Sequence, residues 1–118
     1  MNEINILLVE DNEGDIILTT EAFKDMEMEN RLTVVKNGEE ALRYLKKQGQ
    51  YEGVPSPQLV LLDINLPGID GKQLLGLIKK DEELKDIPVV MLTCSEDDSD
   101  ISDCYDNQVN WYITKPID

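Results

Sequence analysis

Two short apolar runs that both stop on acid constrain this chain more than any other feature. Ile4-Asn5-Ile6-Leu7-Leu8-Val9 is closed by Glu10 and Asp11, and Leu59-Val60-Leu61-Leu62 is closed by Asp63. A short, nearly continuous apolar run reads as a strand covered on both faces, which is the habit of parallel sheets. Such sheets keep their binding sites outside the carboxyl ends of the strands. If the two strands are neighbours, Glu10, Asp11 and Asp63 converge there. Carboxylates about 4 Å apart repel by about 4 kcal/mol per pair at an effective dielectric near 20. The cluster therefore calls for protons, a lysine or a hard cation, and its outline is that of a magnesium site.

The rest of the chain alternates apolar runs with helical patterns, which signals an α/β domain. Between Asp15 and Glu27, Ile16, Ala22, Phe23 and Met26 share a helical face, with Leu18 extending it toward Ala22. Leu32-Thr33-Val34-Val35 is a short second strand. Asn37 followed by Glu40 has the spacing of a capping box, opening a helix with the stripe Ala41, Leu42, Leu45 and a stop at Gly49. Gln50 to Gln58, with Gly53, Pro55 and Pro57, reads as an inserted loop. Asp70 caps a helix running to Lys80 with Leu74, Leu75 and Ile78 inward. Val89-Val90-Met91-Leu92 and Trp111-Tyr112-Ile113 supply the fourth and fifth strands. Between Glu96 and Asp106 six acids surround one apolar pair, Ile101 and Tyr105, so a helix there is weakly tied to the sheet.

Composition narrows the function classes. The chain of 118 residues is read as a single domain, residues 1–118, with 41% hydrophobic residues and no stretch long enough to span a membrane. Eleven Lys plus Arg against 25 Asp plus Glu give a net charge of -14, which repels phosphate backbones and anionic lipid. Neither nucleic acid nor membrane is expected as a partner. The first apolar run meets Glu10 too early for a signal peptide, so the expected location is cytoplasmic. Cys94 and Cys104, in a chain without histidine, form neither a disulfide framework nor a metal motif.

Polar groups close four of the five runs: Glu10 and Asp11, Asp63, Thr93, and Lys115. Each alone has an ordinary explanation as a cap, a turn residue or a solvated charge. Together they supply metal ligands, a nucleophile, a hydroxyl donor and a cation at one sheet edge. The strongest pieces are Leu7-Leu8-Val9-Glu10-Asp11-Asn12, Leu61 through Asp70-Gly71 with Asn65-Leu66-Pro67-Gly68, Val90-Met91-Leu92-Thr93, and Thr114-Lys115-Pro116. In order and spacing they resemble the receiver domains of two-component response regulators. Asn65-Leu66-Pro67 and the two-proline loop give a narrower likeness to the single-domain regulators that serve bacterial phytochromes and related sensor kinases.

The resemblance implies a flavodoxin-like (CheY-like) fold, a doubly wound parallel five-stranded sheet of order 2-1-3-4-5. It implies Asp63 as phosphoacceptor, Asp11 as a direct Mg2+ ligand, Glu10 acting through a metal-bound water, and the Asn65 carbonyl as a further ligand. Thr93 and Lys115 would contact the phosphoryl oxygens, with Thr93 and Tyr112 forming the switch. These roles agree with carboxylate nucleophilicity and with charge neutralisation during phosphoryl transfer. The implied partner is a sensor histidine kinase, in the narrower likeness one of the phytochrome type, or a phosphotransfer protein. The chain would be a signalling phosphoacceptor and not an enzyme acting on other substrates, and would signal by changing what it binds.

Two residues depart from the family pattern: Gln108 stands where a glycine usual in the family precedes the fifth strand, and Cys94 follows Thr93. Two rival readings are a magnesium phosphohydrolase and a pseudo-receiver that only binds partners. The first uses an Asp-x-Asp pair, and here the second position is Asn65; the second lacks reactive side chains that are present here. The family also continues into a fifth helix, whereas the sequence reaches only Asp118. The expectation is therefore a trimmed receiver or a homodimer whose second copy covers the bare sheet face.

Overall fold

The structure, a computed structural model, describes residues 4–25, 29–64, 66–93 and 111–114; of residue 93 and of 111–114 it describes the backbone. The elements are β1 (Ile4–Val9), α1 (Glu13–Lys24), β2 (Asn30–Val35), α2 (Gly38–Leu45), a 3-10 turn (Gly49–Tyr51), β3 (Leu59–Asp63), α3 (Gly71–Lys80), β4 (Val89–Thr93) and β5 (Trp111–Thr114). The five strands form one sheet in the order β2-β1-β3-β4-β5, every pairing parallel. The alternating pattern predicts the α/β class, and the strand order is the one that the family resemblance implies.

Side-chain alternation along the strands feeds two cores. Leu7, Val9, Val35, Val60, Leu62, Val89 and Met91 join Ala41 and Leu45 of α2 and Leu74, Leu75 and Ile78 of α3. On the other face Ile6, Leu8, Leu61 and Leu92 meet Ile16 and Phe23 of α1. Burial on both faces explains why β1 and β3 read as nearly continuous apolar runs. Among the described residues, no helix is long and apolar enough to cross a membrane.

Three sequence expectations are corrected. Helix α1 begins two residues earlier, at Glu13, because Asn12 caps it by accepting from the Asp15 amide at 3.0 Å. Leu18 does not extend the inward face: at about 100° per residue it lies about 200° round from Ile16, and it is 49% exposed while Thr19 is buried. Helix α2 stops at Leu45 and not at Gly49. Its end is a Schellman closure, with the Gln48 amide donating to the Arg43 carbonyl at 2.9 Å and the Lys47 amide to that of Tyr44 at 3.1 Å. Lys47 occupies the left-handed position, φ 57°, that glycine usually fills.

At the start of α2, Asn37 accepts from the Glu40 amide at 2.8 Å. The Glu40 carboxylate instead takes the Tyr51 hydroxyl at 2.6 Å. That bond, with an edge-to-face contact of Tyr51 on Tyr44 at 5.1 Å, anchors the inserted loop to α2. The reciprocal capping box is found at α3, where Asp70 and Gln73 satisfy each other's amides. The expected helix over residues 96–106, and any helix following Asp118, lie outside the described residues.

Candidate metal and phosphoacceptor site

Register builds the site. Val9 of β1 pairs with Leu62 of β3, so the next residues, Glu10 and Asp63, leave neighbouring strands side by side. The Glu10 amide donates to the Val35 carbonyl at 3.0 Å, and the Ile64 amide to the Leu92 carbonyl at 3.1 Å, so both strand ends are held to their neighbours. Glu10 is fully buried, Asp63 is 5% exposed and Asp11 is open to solvent. One carboxylate oxygen from each of the three lies within 4.8 Å of the others.

At that separation two carboxylates repel by about 3 kcal/mol at an effective dielectric near 20. Glu10 relieves part of its burial by accepting the Asn12 amide at 3.3 Å. The donor set is all oxygen, anionic and mostly screened from water, which fits a hard divalent cation and not a soft thiophilic one. The solvent-facing Asp11 leaves the cluster open on one side.

The remaining predicted residues divide in two. Thr93 ends β4 one residue past Leu92, the partner of Asp63, and pairs in turn with Thr114 of β5. Tyr112 lies two residues earlier on β5, opposite Met91. The backbone thus brings the ends of β3, β4 and β5 to the same sheet edge. Asn65 and Lys115 lie outside the described residues.

Three features escaped the sequence reading. Gly71 opens α3 with its amide on the Ile64 carbonyl at 2.9 Å. A Cβ placed there would overlap the Asp63 carbonyl oxygen and lie 2.6 Å from Ile64 Cα. The available signal was the glycine itself, since Gly in a helix costs about 1 kcal/mol relative to Ala and a close approach is the usual reason for one. The second is an ion pair between Glu13, in the first turn of α1, and Lys36 just beyond β2. It raises the Lys36 pKa, through the hydrogen bond and charge of Glu13. The third is an exposed apolar pair on α1, Ile17 at 60% and Leu18 at 49%.

Comparison with known proteins agrees with this geometry. Residues 6–118 match the response regulator receiver domain family. The response regulator Rcp1 of Synechocystis sp. is 44% identical over 110 residues, covering 93% of this chain and 75% of that protein. The probable methanogenesis regulatory protein FilR2 of Methanothrix harundinacea is 42% identical over 112 residues, covering 95% and 72%. Among solved structures, the phosphorylated cyanobacterial phytochrome response regulator RcpA superposes with a TM-score of 0.93 at 44% identity, covering 99% of this chain and 84% of that one. The Mn2+-bound form of Rcp1 gives 0.91 at 42% identity, covering 98% and 83%.

Proposed function

Since the chain belongs to the response regulator receiver domains of two-component signalling, we propose that Asp63 is its phosphoacceptor and that Glu10, Asp11, Asp63 and the Asn65 carbonyl hold Mg2+. The observation that carries this reading is the convergence of the three carboxylates, within 4.8 Å, at the shared edge of β1 and β3. The Mn2+-bound state of Rcp1 supports a divalent ion in this donor set.

In the proposed reaction an oxygen of Asp63 attacks the phosphorus of a phosphohistidine on the partner. The P–N bond breaks, a P–O bond forms and the histidine leaves neutral after taking a proton. The bound metal would supply charge neutralisation for the phosphoryl oxygens. Burial of Asp63 holds its carboxylate in one orientation and limits water at its back. Glu10 and Asp11 would hold the cation, Lys115 would add a second positive charge, and Thr93 would donate a hydrogen bond to a phosphoryl oxygen. That last bond, worth about 1.5 to 3 kcal/mol, is enough to shift a two-state balance about 10-fold or more, with Tyr112 following Thr93. The chain thereby acts as a signalling phosphoacceptor in the cytoplasm, and catalyses only its own phosphorylation and slow dephosphorylation.

The proposed phosphodonor is a sensor histidine kinase of the phytochrome class or a phosphotransfer protein. Its histidine must reach Asp63, so the surface around the acid edge has to dock it. The exposed Ile17 and Leu18, one to two turns into the helix that follows Asp11, suit the apolar part of that contact. Incubation with acetyl phosphate and Mg2+ tests the chemistry. The expected product is a stable phosphoprotein labelled at Asp63 and absent from Asp63→Ala. Release of free phosphate without accumulated label would point to a phosphohydrolase, and full labelling of Asp63→Ala would remove the assignment. Leu18→Glu should slow phosphotransfer from a kinase while leaving labelling by acetyl phosphate unchanged.

A further inference from the structure

The turn between β3 and α3 is seated against its neighbours at three glycines, and the contacts differ in what they touch. A Cβ on Gly71 would overlap the backbone carbonyl of Asp63 and approach Ile64 Cα to 2.6 Å. A Cβ on Gly38, the first residue of α2, would lie 2.9 Å from the Ile69 carbonyl oxygen and 3.0 Å from Ile69 Cβ. One on Gly68 would lie 2.8 Å from a carboxylate oxygen of Glu39. Two of these neighbours are backbone, of which the Asp63–Ile64 segment is held by other bonds, and the third is the tip of a flexible side chain.

Relief is correspondingly unequal. Glu39 can swing away from Gly68 at the cost of one long bond, its acceptance of the Ile69 amide at 3.4 Å, so that position is limited mainly by its φ of 72°. Nothing comparable can give at Gly71. Its amide is bonded to the Ile64 carbonyl at 2.9 Å, the Ile64 amide to Leu92 at 3.1 Å, and the helix behind it is locked by the Asp70–Gln73 box. Carbon atoms sit comfortably at about 3.5 Å or more, so a methyl group at Gly71 must separate α3 from the end of β3 by about 1 Å. The backbone that moves is that of the proposed nucleophile.

Resting on the reading of Asp63 as phosphoacceptor, we propose that Gly71 is a positioning residue for it, with Gly38 in a lesser role on the far side of the same turn. Gly71 lets the first turn of α3 abut the Asp63 carbonyl, which fixes the direction of the Asp63 side chain. Reacting groups tolerate little error: about 1 Å of misplacement can cost about 100-fold in rate. Stability alone does not account for the contact, since the same helix could be anchored through Leu74, Leu75 and Ile78, all fully buried.

The experiment compares the full chain with Gly71→Ala, Gly38→Ala and Leu84→Ala. Leu84 is a buried residue of the loop after α3, and serves as a destabilised control away from the acid edge. Mg2+ affinity is measured by calorimetry and the rate of acetyl phosphate labelling by mass spectrometry, both well below each variant's melting point. Gly71→Ala should bind Mg2+ about tenfold more weakly or worse and label about 10- to 100-fold more slowly. Gly38→Ala should lose roughly threefold in each, and Leu84→Ala should stay within about twofold of the parent despite melting lower. A folded Gly71→Ala within twofold of the parent in both measurements overturns the positioning role, as does an equal loss in Leu84→Ala. Should Gly71→Ala fail to fold, Gly38→Ala decides, and parental behaviour there overturns it. A parent that takes no label overturns the phosphoacceptor assignment itself, a result distinct from all of these.

Discussion

The units β1–α1 and β3–α3 are built alike and used differently. Each is a buried parallel strand that ends in acid and turns into a helix capped by an Asx side chain, Asn12 in one and Asp70 in the other. Helix α3 turns Leu74, Leu75 and Ile78 fully inward and leaves Leu77 out, whereas α1 has Thr19 as its one buried residue and leaves both Ile17 and Leu18 in solvent. The difference teaches that the two halves of the acid edge are supported unequally. Helix α3 is part of the core that holds Asp63, and α1 is a thinner cover whose outer apolar side chains are free to meet a partner.

The largest expected effect tests that inequality directly. Ile78→Ala removes a fully buried side chain and should cost about 2 to 5 kcal/mol in urea unfolding, while Leu18→Ala, half exposed, should stay within about 0.5 kcal/mol. Equal losses at the two positions would break the comparison, because α1 would then be carrying core energy that its burial does not suggest.

How far each unit was legible follows from the same contrast. Strands β1 and β3 could be read because burial on both faces leaves a nearly continuous apolar run, and α3 because its period and its cap agree. Helix α1 was oriented through Ile16 and Phe23, which do pack on the sheet, but its face was drawn too wide, since Ile16, Ile17 and Leu18 are consecutive and no composition rule says which of them faces the sheet. The end of α2 was misplaced because Lys47 takes a conformation that sequence rules reserve for glycine. The acid cluster was legible from strand ends alone. The seat of Gly71 on Asp63 was not, because a contact between residues eight apart through a turn is a property of the packed chain.

The acid cluster itself joins the two units, and the second prediction asks whether they share it. In metal-free buffer Asp63→Asn and Glu10→Gln should each raise stability by about 1 to 2 kcal/mol, since either removes one of two buried charges from the group. Asp11→Asn, exposed to solvent, should gain less. Saturating Mg2+ should stabilise the parent and reverse that ranking, because a ligand of the folded state adds its binding free energy. Thermal unfolding with and without Mg2+ reads both signs. A parent more stable than Asp63→Asn in the absence of metal would mean that hydrogen bonds already compensate the cluster.

Capping gives a smaller difference. Asp70→Ala breaks a reciprocal box by taking the acceptor of the Gln73 amide at 2.8 Å, whereas Asn12→Ala removes a lone acceptor at 3.0 Å. Losses of about 1 kcal/mol and about 0.5 kcal/mol are expected in that order by chemical denaturation. The reverse order would show that the α1 cap is supporting Glu10 as well, through the Asn12 amide that donates to it.

The smallest effect is a difference of sign at alkaline pH. Lys36, tied to α1 through Glu13, has its pKa raised above 10.5, chiefly by the hydrogen bond to that carboxylate. Lys79 of α3 has its pKa lowered from 10.5, by burial first, while its ammonium donates to the carbonyls of Lys85 at 3.2 Å and Ile87 at 2.9 Å. For Lys36 the folded state holds the proton more tightly, so its contribution is intact below about pH 10.5 and is lost as pH rises through the folded value. For Lys79 the unfolded state holds the proton more tightly, so stability grows with pH in the window below 10.5. Unfolding free energies measured from pH 8.5 to 11 should therefore slope more steeply downward in Lys79→Gln than in the parent, and less steeply in Lys36→Gln. Parallel slopes in all three proteins would show that neither lysine couples its proton to folding, and the electrostatic part of the contrast between the two units would be gone.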